Sequence, residues 1–423
     1  MKPFGILSLC FALFATTLCS AAEKSGFYLR DGDRVVFYGD SITDQRLYTT
    51  FTETYVVTRF PDMNVQFVHS GWGGDTVNGG GGGLIDTRLK RDVFAYNPTV
   101  MTIMLGMNDA SYRAFEDAIF DKYRNGYEHI ITSLKENVPN LRLTLIRPSP
   151  FDDVTQEPKF EGGYNQVLVR YGGFVKELAE RNGATVADLN AGVVAALQKA
   201  KAKDAELAKQ LIADRVHPGA AGQLLMANEL LKAWHAPATV SDVVLDASAG
   251  KTLRSVGAKV TDVKAGETLR WSQKDSALPF PIGTNDPVMA LAVSSSDVVN
   301  ALDKQTLKVT GLTADSYTLK IDGAAIGKFA KENLENGINL ALLPTPMFKQ
   351  AKEVHNFTLE HNQLHFNRWR QIQVPLESSK SSRVQKTVKE LVDALDEEEA
   401  EVIKKQRDTA QPKAHRFELA PAS

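Results

Sequence analysis

Cysteine is nearly missing from this chain. Among its 423 residues only Cys10 and Cys19 carry a thiol, and both lie in the first 22. A chain processed after that segment has no disulfide framework and no thiol nucleophile, so its stability must come from a sizeable core. An excess of charge is lacking too. Lys and Arg total 49 against 51 Asp and Glu, a net of −2, so no global basic field argues for nucleic acid. Beyond residue 22 no apolar run is long enough to span a bilayer, which argues against stable membrane insertion. The glycine run "NGGGGG" (78–83) is not followed by the G-K-S/T of a phosphate loop. It reads as a mobile loop or a plain flexible connection. In "HNQLH", His361 and His365 stand one helical turn apart, but Asn362 occupies the position where a zinc-protease motif needs Glu. No metal and no cofactor are expected.

What is present starts with an export signal. Lys2 gives a positive start, residues 4–18 are almost wholly apolar or small, and "CSAAEK" offers a cleavage point after Ala22. An uncleaved membrane anchor is the alternative reading. The expected location is periplasmic or secreted.

From Asp33 to Trp234 short β-like runs alternate with longer helical ones. "RVVFYG", "NVQFVHS", "TVMTIML", "LRLTLIR" and "ATVADL" read as buried strands, rich in Val, Ile and Leu and closed by polar or glycine signals. Helical stretches fall at 47–60, 84–94, 114–136, 164–181 and 220–234. Such alternation means βαβ units and a mostly parallel sheet with helices on both faces, with chemistry beyond the strand C-termini. "GDS", "GWGGDT" and "GMND" follow the first three strands in turn.

After Ala238 the texture changes. Residues 238–330 alternate apolar and polar positions between turn signals such as "SAGK" and "KAGE", and read as a small β-rich domain following an α/β domain at 23–237. Within it "LKVTGLTADSYTLKIDG" reads as a hairpin, with Leu307, Val309 and Leu312 before the turn and Tyr317, Leu319 and Ile321 after it. Residues 331–423 read as a helical segment. Val384, Val388, Leu391, Val392 and Leu395 form one apolar stripe that must pack back on the protein, unless the tail is solvated. "FNRWRQ", with Arg368, Trp369 and Arg370, reads as a packing or surface patch.

A serine hydroxyl needs a base, and the base needs an orienting acid. Ser41 ends the first strand. In "ADRVHPGAAG", Asp214 lies three residues before His217, close enough to reach the imidazole, and Pro218 and Gly219 open the next helix. Acyl transfer also needs donors for the oxyanion. The Ser41 and Gly74 N–H groups and the Asn108 amide are candidates, although Gly74 or Asn108 alone would read as a turn residue.

Together these blocks resemble the SGNH hydrolase family, also called GDSL esterases. G-D-S, a G-D-T glycine block, G-x-N-D and a late D-x-x-H before proline occur in order across about half of the chain. The resemblance implies a flavodoxin-like three-layer α/β/α fold with a parallel sheet. It also implies Ser41 as nucleophile, His217 as base and Asp214 as its orienting acid. Ser41, Gly74 and Asn108 would form the oxyanion hole. One departure is that His69 and Ser70 precede the glycine block where many members carry an asparagine. The substrate expected is a small-molecule ester or an acetylated polysaccharide, with Gln45, Arg46 and Trp72 as candidate substrate contacts. Export, the β-rich domain and the absence of a hydrophobic lid lean toward a carbohydrate acetylesterase. Short-chain carboxylesterase, lipase or thioesterase activity is the alternative, and a non-catalytic glycan-binding protein is the alternative of another class.

Overall fold

The computed structural model describes residues 26–422. The signal segment expected at 1–22 lies outside them. The first half builds a parallel five-stranded sheet from β1 (Arg34–Gly39), β2 (Gln66–Gly71), β5 (Val100–Met104), β6 (Arg142–Arg147) and β7 (Thr185–Asp188). Between β2 and β5 lies a tiny antiparallel hairpin, β3 (Gly79–Gly80) and β4 (Gly83–Leu84). The order β2-β1-β5-β6-β7 reverses direction beside β1, the switch point at which open α/β sheets place their sites. The central strands carry mainly apolar residues at their inner positions, because helices cover both faces. Val35, Val36 and Phe37 are fully buried, each stabilising the fold by roughly 1.5–3 kcal/mol.

The covering helices are α2 (Leu47–Arg59), α3 (Ile85–Asp92), α4 (Asp117–Asn137), α5 (Gly163–Asn182), α6 (Leu189–Lys203) and α7 (Ala220–Ala233), with a single turn α1 (Ser41–Asp44) directly after β1. The helical stretches expected from periodicity occur within three residues of their bounds. Helix α6 was not anticipated; its alanine-rich sequence carries little amphipathic contrast.

The second half forms two sheets around a separate core. One has the order β15-β12-β8-β9, from Ile338–Asn339, Lys304–Thr310, Thr239–Asp246 and Lys251–Val256. The other has the order β10-β11-β16-β13-β14, from Ala258–Lys264, Leu269–Asp275, Ala414–Pro421, Ser316–Ile321 and Ala324–Ala330. Leu307 and Val309 of one sheet meet Tyr317, Leu319, Ile321 and Phe417 of the other in that core. The hairpin expected around residues 307–321 is therefore not one. Strand β12 pairs with β8 and β15, whereas β13 pairs with β14 and β16. The alternation correctly marked a buried face, but the two strands face each other across the core instead of lying side by side. This region also contains a helix, α8 (Pro287–Ser295), whose Leu291 and Ala292 join the first core.

The C-terminal segment is mainly helical, with α9 (Pro346–Phe366), a π-helical stretch (Asn367–Gln373) and α10 (Ser382–Ala410). It ends in a strand, β16, set between β11 and β13. The apolar stripe expected to dock α10 is only half-buried, and Leu391 is 44% exposed. The buried positions lie later in the helix, at Val402, Gln406 and Ala410.

Helix α2 is the hub of the molecule. Eleven of its thirteen residues are buried, although its sequence is rich in threonine. The hydroxyls of Thr52 and Thr58 donate to carbonyls one turn back, at Tyr48 and Thr54, which lets them be buried without loss. Tyr48 and Tyr55 face the first core and Val57 faces the second. A third side meets the C-terminal helices through Glu53. The Glu53 carboxylate accepts from His361 Nδ1 at 3.0 Å, from Gln406 Nε2 at 2.9 Å and from His69 Nε2 at 3.2 Å. The other nitrogen of His361 donates to Glu399 at 3.0 Å.

Candidate active site

Strands β1, β2 and β5 are neighbours and run parallel, with Gly39 in register with both Gly71 and Met104. The residues that follow them are thereby delivered to one edge of the sheet. After β1 the chain turns at once into α1, capped by the Asp40 carboxylate, which accepts from Ile42 N–H at 3.0 Å. This turn folds back across β2 so tightly that a Cβ on Gly71 would stand 2.7 Å from Asp44 Cα. Burial pushes the Asp40 carboxyl up to about 7, with the Asp109 and Asp75 carboxylates adding to the rise.

Ser41 opens α1. Its Oγ–H donates to His217 Nε2 at 2.8 Å, and His217 Nδ1–H donates to Asp214 Oδ2 at 2.7 Å. This pattern assigns the tautomer, since a carboxylate can only accept at Nδ1. The other Asp214 oxygen accepts from the His217 and Val216 N–H groups at 2.7 and 2.9 Å, so the acid is fixed by the loop that carries the base. Partial burial raises the Asp214 carboxyl, but the bonds from His217 and Val216 outweigh it and leave it below the ordinary carboxylate range.

The His217 loop is tied to α1 through Gln223, a fully buried residue of α7. Its amide nitrogen donates to Gln45 Oε1 at 2.5 Å and to Pro218 O at 3.3 Å, and its oxygen accepts from Tyr48 N–H. Sequence reading missed this link, for a glutamine inside an apolar helix carries no local signal of its partner.

Gly74 has φ +79°, a conformation that favours glycine. The preceding N–H, of Gly73, donates to Asp44 Oδ2 at 3.1 Å and so locks this loop to α1. Among the described residues, the Ser41 and Gly74 N–H groups donate to no other group. Asn108 donates from Nδ2 to Asp75 O at 2.9 Å and accepts at Oδ1 from Tyr112 OH at 2.9 Å. The structure therefore brings Ser41, Asp214, His217, Gly74 and Asn108 to one place.

The three expected substrate contacts fare differently. Gln45 is exposed but engaged by Gln223. Arg46 turns to the C-terminal segment, its guanidinium 4.1 Å from the Phe366 ring and within 3.3 Å of Asn362 O. Trp72 is only 8% exposed. Arg370 lies over its ring, 2.9 Å from the centroid, and Trp369 meets it edge-on at 5.7 Å. Trp72 is thus not an open stacking wall, because the "RWR" patch at 368–370 covers it. The glycine run is an ordered hairpin packed on the same indole, a Cβ on Gly82 standing 2.6 Å from Trp72 Cδ2. His69 and Ser70, the departure noted before the glycine block, face the interior. His69 joins the Glu53 cluster, and Ser70 Oγ donates to Asp92 O at 2.7 Å.

Comparison with known proteins gives the following. Residues 37–225 match the GDSL-like lipase/acylhydrolase family. Over 221 residues the chain is 25% identical to an acetylxylan esterase of Geobacillus stearothermophilus, covering 48% of this chain and 93% of that protein. A solved structure described as a gut microbial diltiazem-metabolizing enzyme superposes with a TM-score of 0.80 at 26% identity, covering 94% of this chain and 100% of that one. The crystal structure of an acetylxylan esterase from Geobacillus stearothermophilus covers 49% of this chain and 96% of its own, at 23% identity and a TM-score of 0.39. An arrangement covering 94% of this chain, accessory sheets and C-terminal helices included, thus recurs in a second protein.

Proposed function

We infer that this chain, whose residues 37–225 belong to the GDSL-like lipase/acylhydrolase family, is an exported serine esterase that removes O-acetyl groups from carbohydrate. Ester hydrolysis is the activity of the family; the mechanism and the substrate are our reading. The observation that carries the mechanism is the unbroken chain from Ser41 Oγ through His217 to Asp214, at 2.8 and 2.7 Å.

Ser41 Oγ attacks the ester carbonyl while its proton passes to His217 Nε2. Asp214 stabilises the imidazolium and keeps Nδ1–H directed toward itself. The tetrahedral oxyanion is held by the N–H groups of Ser41 and Gly74 and by the Asn108 amide. His217 then gives its proton to the departing alcohol oxygen. Water then attacks the acyl-enzyme carbonyl while His217 takes its proton; the acyl–Oγ bond breaks, His217 returns the proton to Ser41 Oγ, and the acetyl group leaves as acetate.

Replacing Asn108 by alanine is expected to lower kcat about 10²–10³-fold with KM little changed, since the donor acts on charge that exists only in the transition state. Steady-state kinetics on p-nitrophenyl acetate measure it. A rise in KM with kcat intact would instead make Asn108 a ground-state binding group.

For the substrate, the likeness to a protein named as an acetylxylan esterase supports an acetylated polysaccharide. The full-length structural neighbour is named for metabolizing a drug, which supports a small-molecule ester as the second reading. The export signal read from the sequence of residues 1–22 would bring the chain to extracellular polymers, which supports the first reading. Acetate release from acetylated xylan, beside p-nitrophenyl acetate and diltiazem, separates them. Release from xylan is expected. Turnover of the small compounds alone would transfer the assignment to small esters. No turnover of any of the three would favour the non-catalytic glycan-binding reading.

A further inference from the structure

Tyr112 lies four residues after Asn108, in the loop that leads from β5 to α4. Ser111 and Tyr112 both hold left-handed backbone, at φ 57° and 56°. Two consecutive non-glycine residues in that region are unusual, and for a bulky aromatic the conformation is unfavourable unless its surroundings hold it. Here they do. The Tyr112 ring stacks on Tyr164 with centroids 5.1 Å apart, and it leans toward Phe151 at 6.3 Å. Tyr164 is itself anchored by donating to Met107 O at 2.5 Å.

Despite these contacts the Tyr112 ring is 44% exposed. An aromatic side chain held in a strained conformation and still left open to solvent is not explained by packing. Its two ends point to two tasks. The hydroxyl donates to Asn108 Oδ1, while one Asn108 Nδ2–H is taken by Asp75 O. The amide is planar, so these two bonds fix the direction of its remaining N–H. Partial burial and the nearby Asp40 and Asp214 carboxylates push the phenol up to about 12, which keeps it a donor across the neutral range. The ring, meanwhile, stacks on Tyr164 while the residue stays 44% exposed, which leaves aromatic surface open to a ligand beside Asn108. Such a face takes the C–H side of a sugar ring, combining apolar contact with a polar edge.

We propose that Tyr112 positions the Asn108 amide through its hydroxyl and forms, with its ring, the platform on which the alcohol part of the substrate, a sugar ring, lies. The proposal rests on the esterase reading of Ser41.

Two variants separate the two tasks. Tyr112→Phe keeps the ring and loses the hydroxyl. Tyr112→Asn loses the ring but tolerates left-handed backbone. Both are assayed on ethyl acetate, which has no ring to place on the platform, and on acetylated xylo-oligosaccharide. For Tyr112→Phe, kcat should fall about tenfold on both substrates with KM within about twofold, a smaller loss than deleting the donor itself. For Tyr112→Asn, the same loss in kcat should be joined by a KM about tenfold or more higher on the oligosaccharide alone. A purely structural role would lower the melting temperature of both variants in proportion to the activity lost, and would not raise KM on the oligosaccharide alone.

Wild-type kcat in Tyr112→Phe overturns the positioning role. A Tyr112→Asn variant with KM unchanged, or raised equally on both substrates, overturns the platform. If wild type hydrolyses neither ester, the esterase reading falls, and the platform is decided by equilibrium titration with the oligosaccharide. Equal Kd for wild type and Tyr112→Asn then overturns it, and weakening of about tenfold supports it.

Discussion

Replacement of Ser41 by alanine is expected to lower kcat/KM on p-nitrophenyl acetate by about 10⁴-fold or more, while the protein melts within a degree or so of wild type. The size of the effect follows from the chemistry. Without Oγ no acyl-enzyme forms, and what remains is the attack of water assisted by the oxyanion donors. Members of such a set act as a unit, so losing one removes most of what the set provides. The small effect on stability follows from the structure. The Ser41 hydroxyl has His217 as its hydrogen-bond partner, whereas Asp40 caps α1 and Gln45 and Tyr48 hold the turn through Gln223. Alanine keeps the helical turn and leaves His217 anchored by Asp214. Enzyme purified from a host lacking background esterase should be used. Retention of more than about 1% of wild-type activity would show that another group attacks the ester, against the loss of several decades expected for a nucleophile.

The second large effect concerns stability instead of turnover. Exchange of His361 for alanine is expected to destabilise the protein by about 3–5 kcal/mol at pH 7, read by urea denaturation. The Glu53 and His361 side chains are each only 2% exposed, so removing the cation strands a carboxylate in the interior. Both His361 nitrogens donate to carboxylates, which requires the charged ring. Burial alone would lower its pKa, but Glu53 and Glu399 prevail and hold it at about 10. Burial likewise works against ionised Glu53, and His361 and His69 prevail, bringing it down to about 2. His69 is the opposite case: burial outweighs Glu53 and keeps the ring neutral, down to about 4.

The pH dependence follows from these directions. His361 is raised in the folded state, so its contribution is complete below its unfolded value of about 6.5 and is lost as pH rises through about 10. Glu53 is depressed, so its contribution is present above about 4.5 and is lost as pH falls through about 2. His69, buried as the neutral ring, adds a loss as pH falls from about 6.5 toward 4. The gap in stability between wild type and His361→Gln should therefore narrow steadily from pH 7 to 10. A gap that stays constant over that range would mean that His361 is neutral in the folded protein.

The contrast between these two sites shows which features a sequence displays. The blocks around Ser41, Gly74 and Asn108 were legible because each follows a strand whose mainly apolar run marks it as buried, and the spacing of Asp214 and His217 is local. The partners of Glu53 were not legible. His361 and Gln406 lie more than 300 residues away, and a glutamate in a threonine-rich helix looks like a solvated position until the helix is found to be enclosed on three sides. The burial of Trp72 was not legible for a related reason. Its cover comes from Trp369 and Arg370, whose sequence gives no sign of the surface they meet. The hairpin expected around residues 307–321 failed because alternation reports which side of a strand is buried and says nothing of its neighbours. Tyr112 gave no signal, since its backbone strain exists only in three dimensions.

The position of β16 has a consequence for the order in which the molecule can assemble. Residues 414–421 sit between β11 and β13, strands about 100 and 150 residues earlier in the chain, and pair with both. Until they arrive, that sheet exists as two halves with bare edges, each able to recruit a strand from another molecule. A chain emerging from a ribosome can complete the parallel sheet and bring Ser41 and His217 together while the second core is still open. Closing the second core then awaits a contact of long loop length, a slow step compared with local pairing. Refolding should therefore show two phases: an early one that restores the parallel-sheet half, and a late one in which β16 inserts and the intermediate ceases to aggregate. A peptide spanning residues 414–421, added in excess to the early species, would compete for that vacant slot and arrest the chain before its final closure.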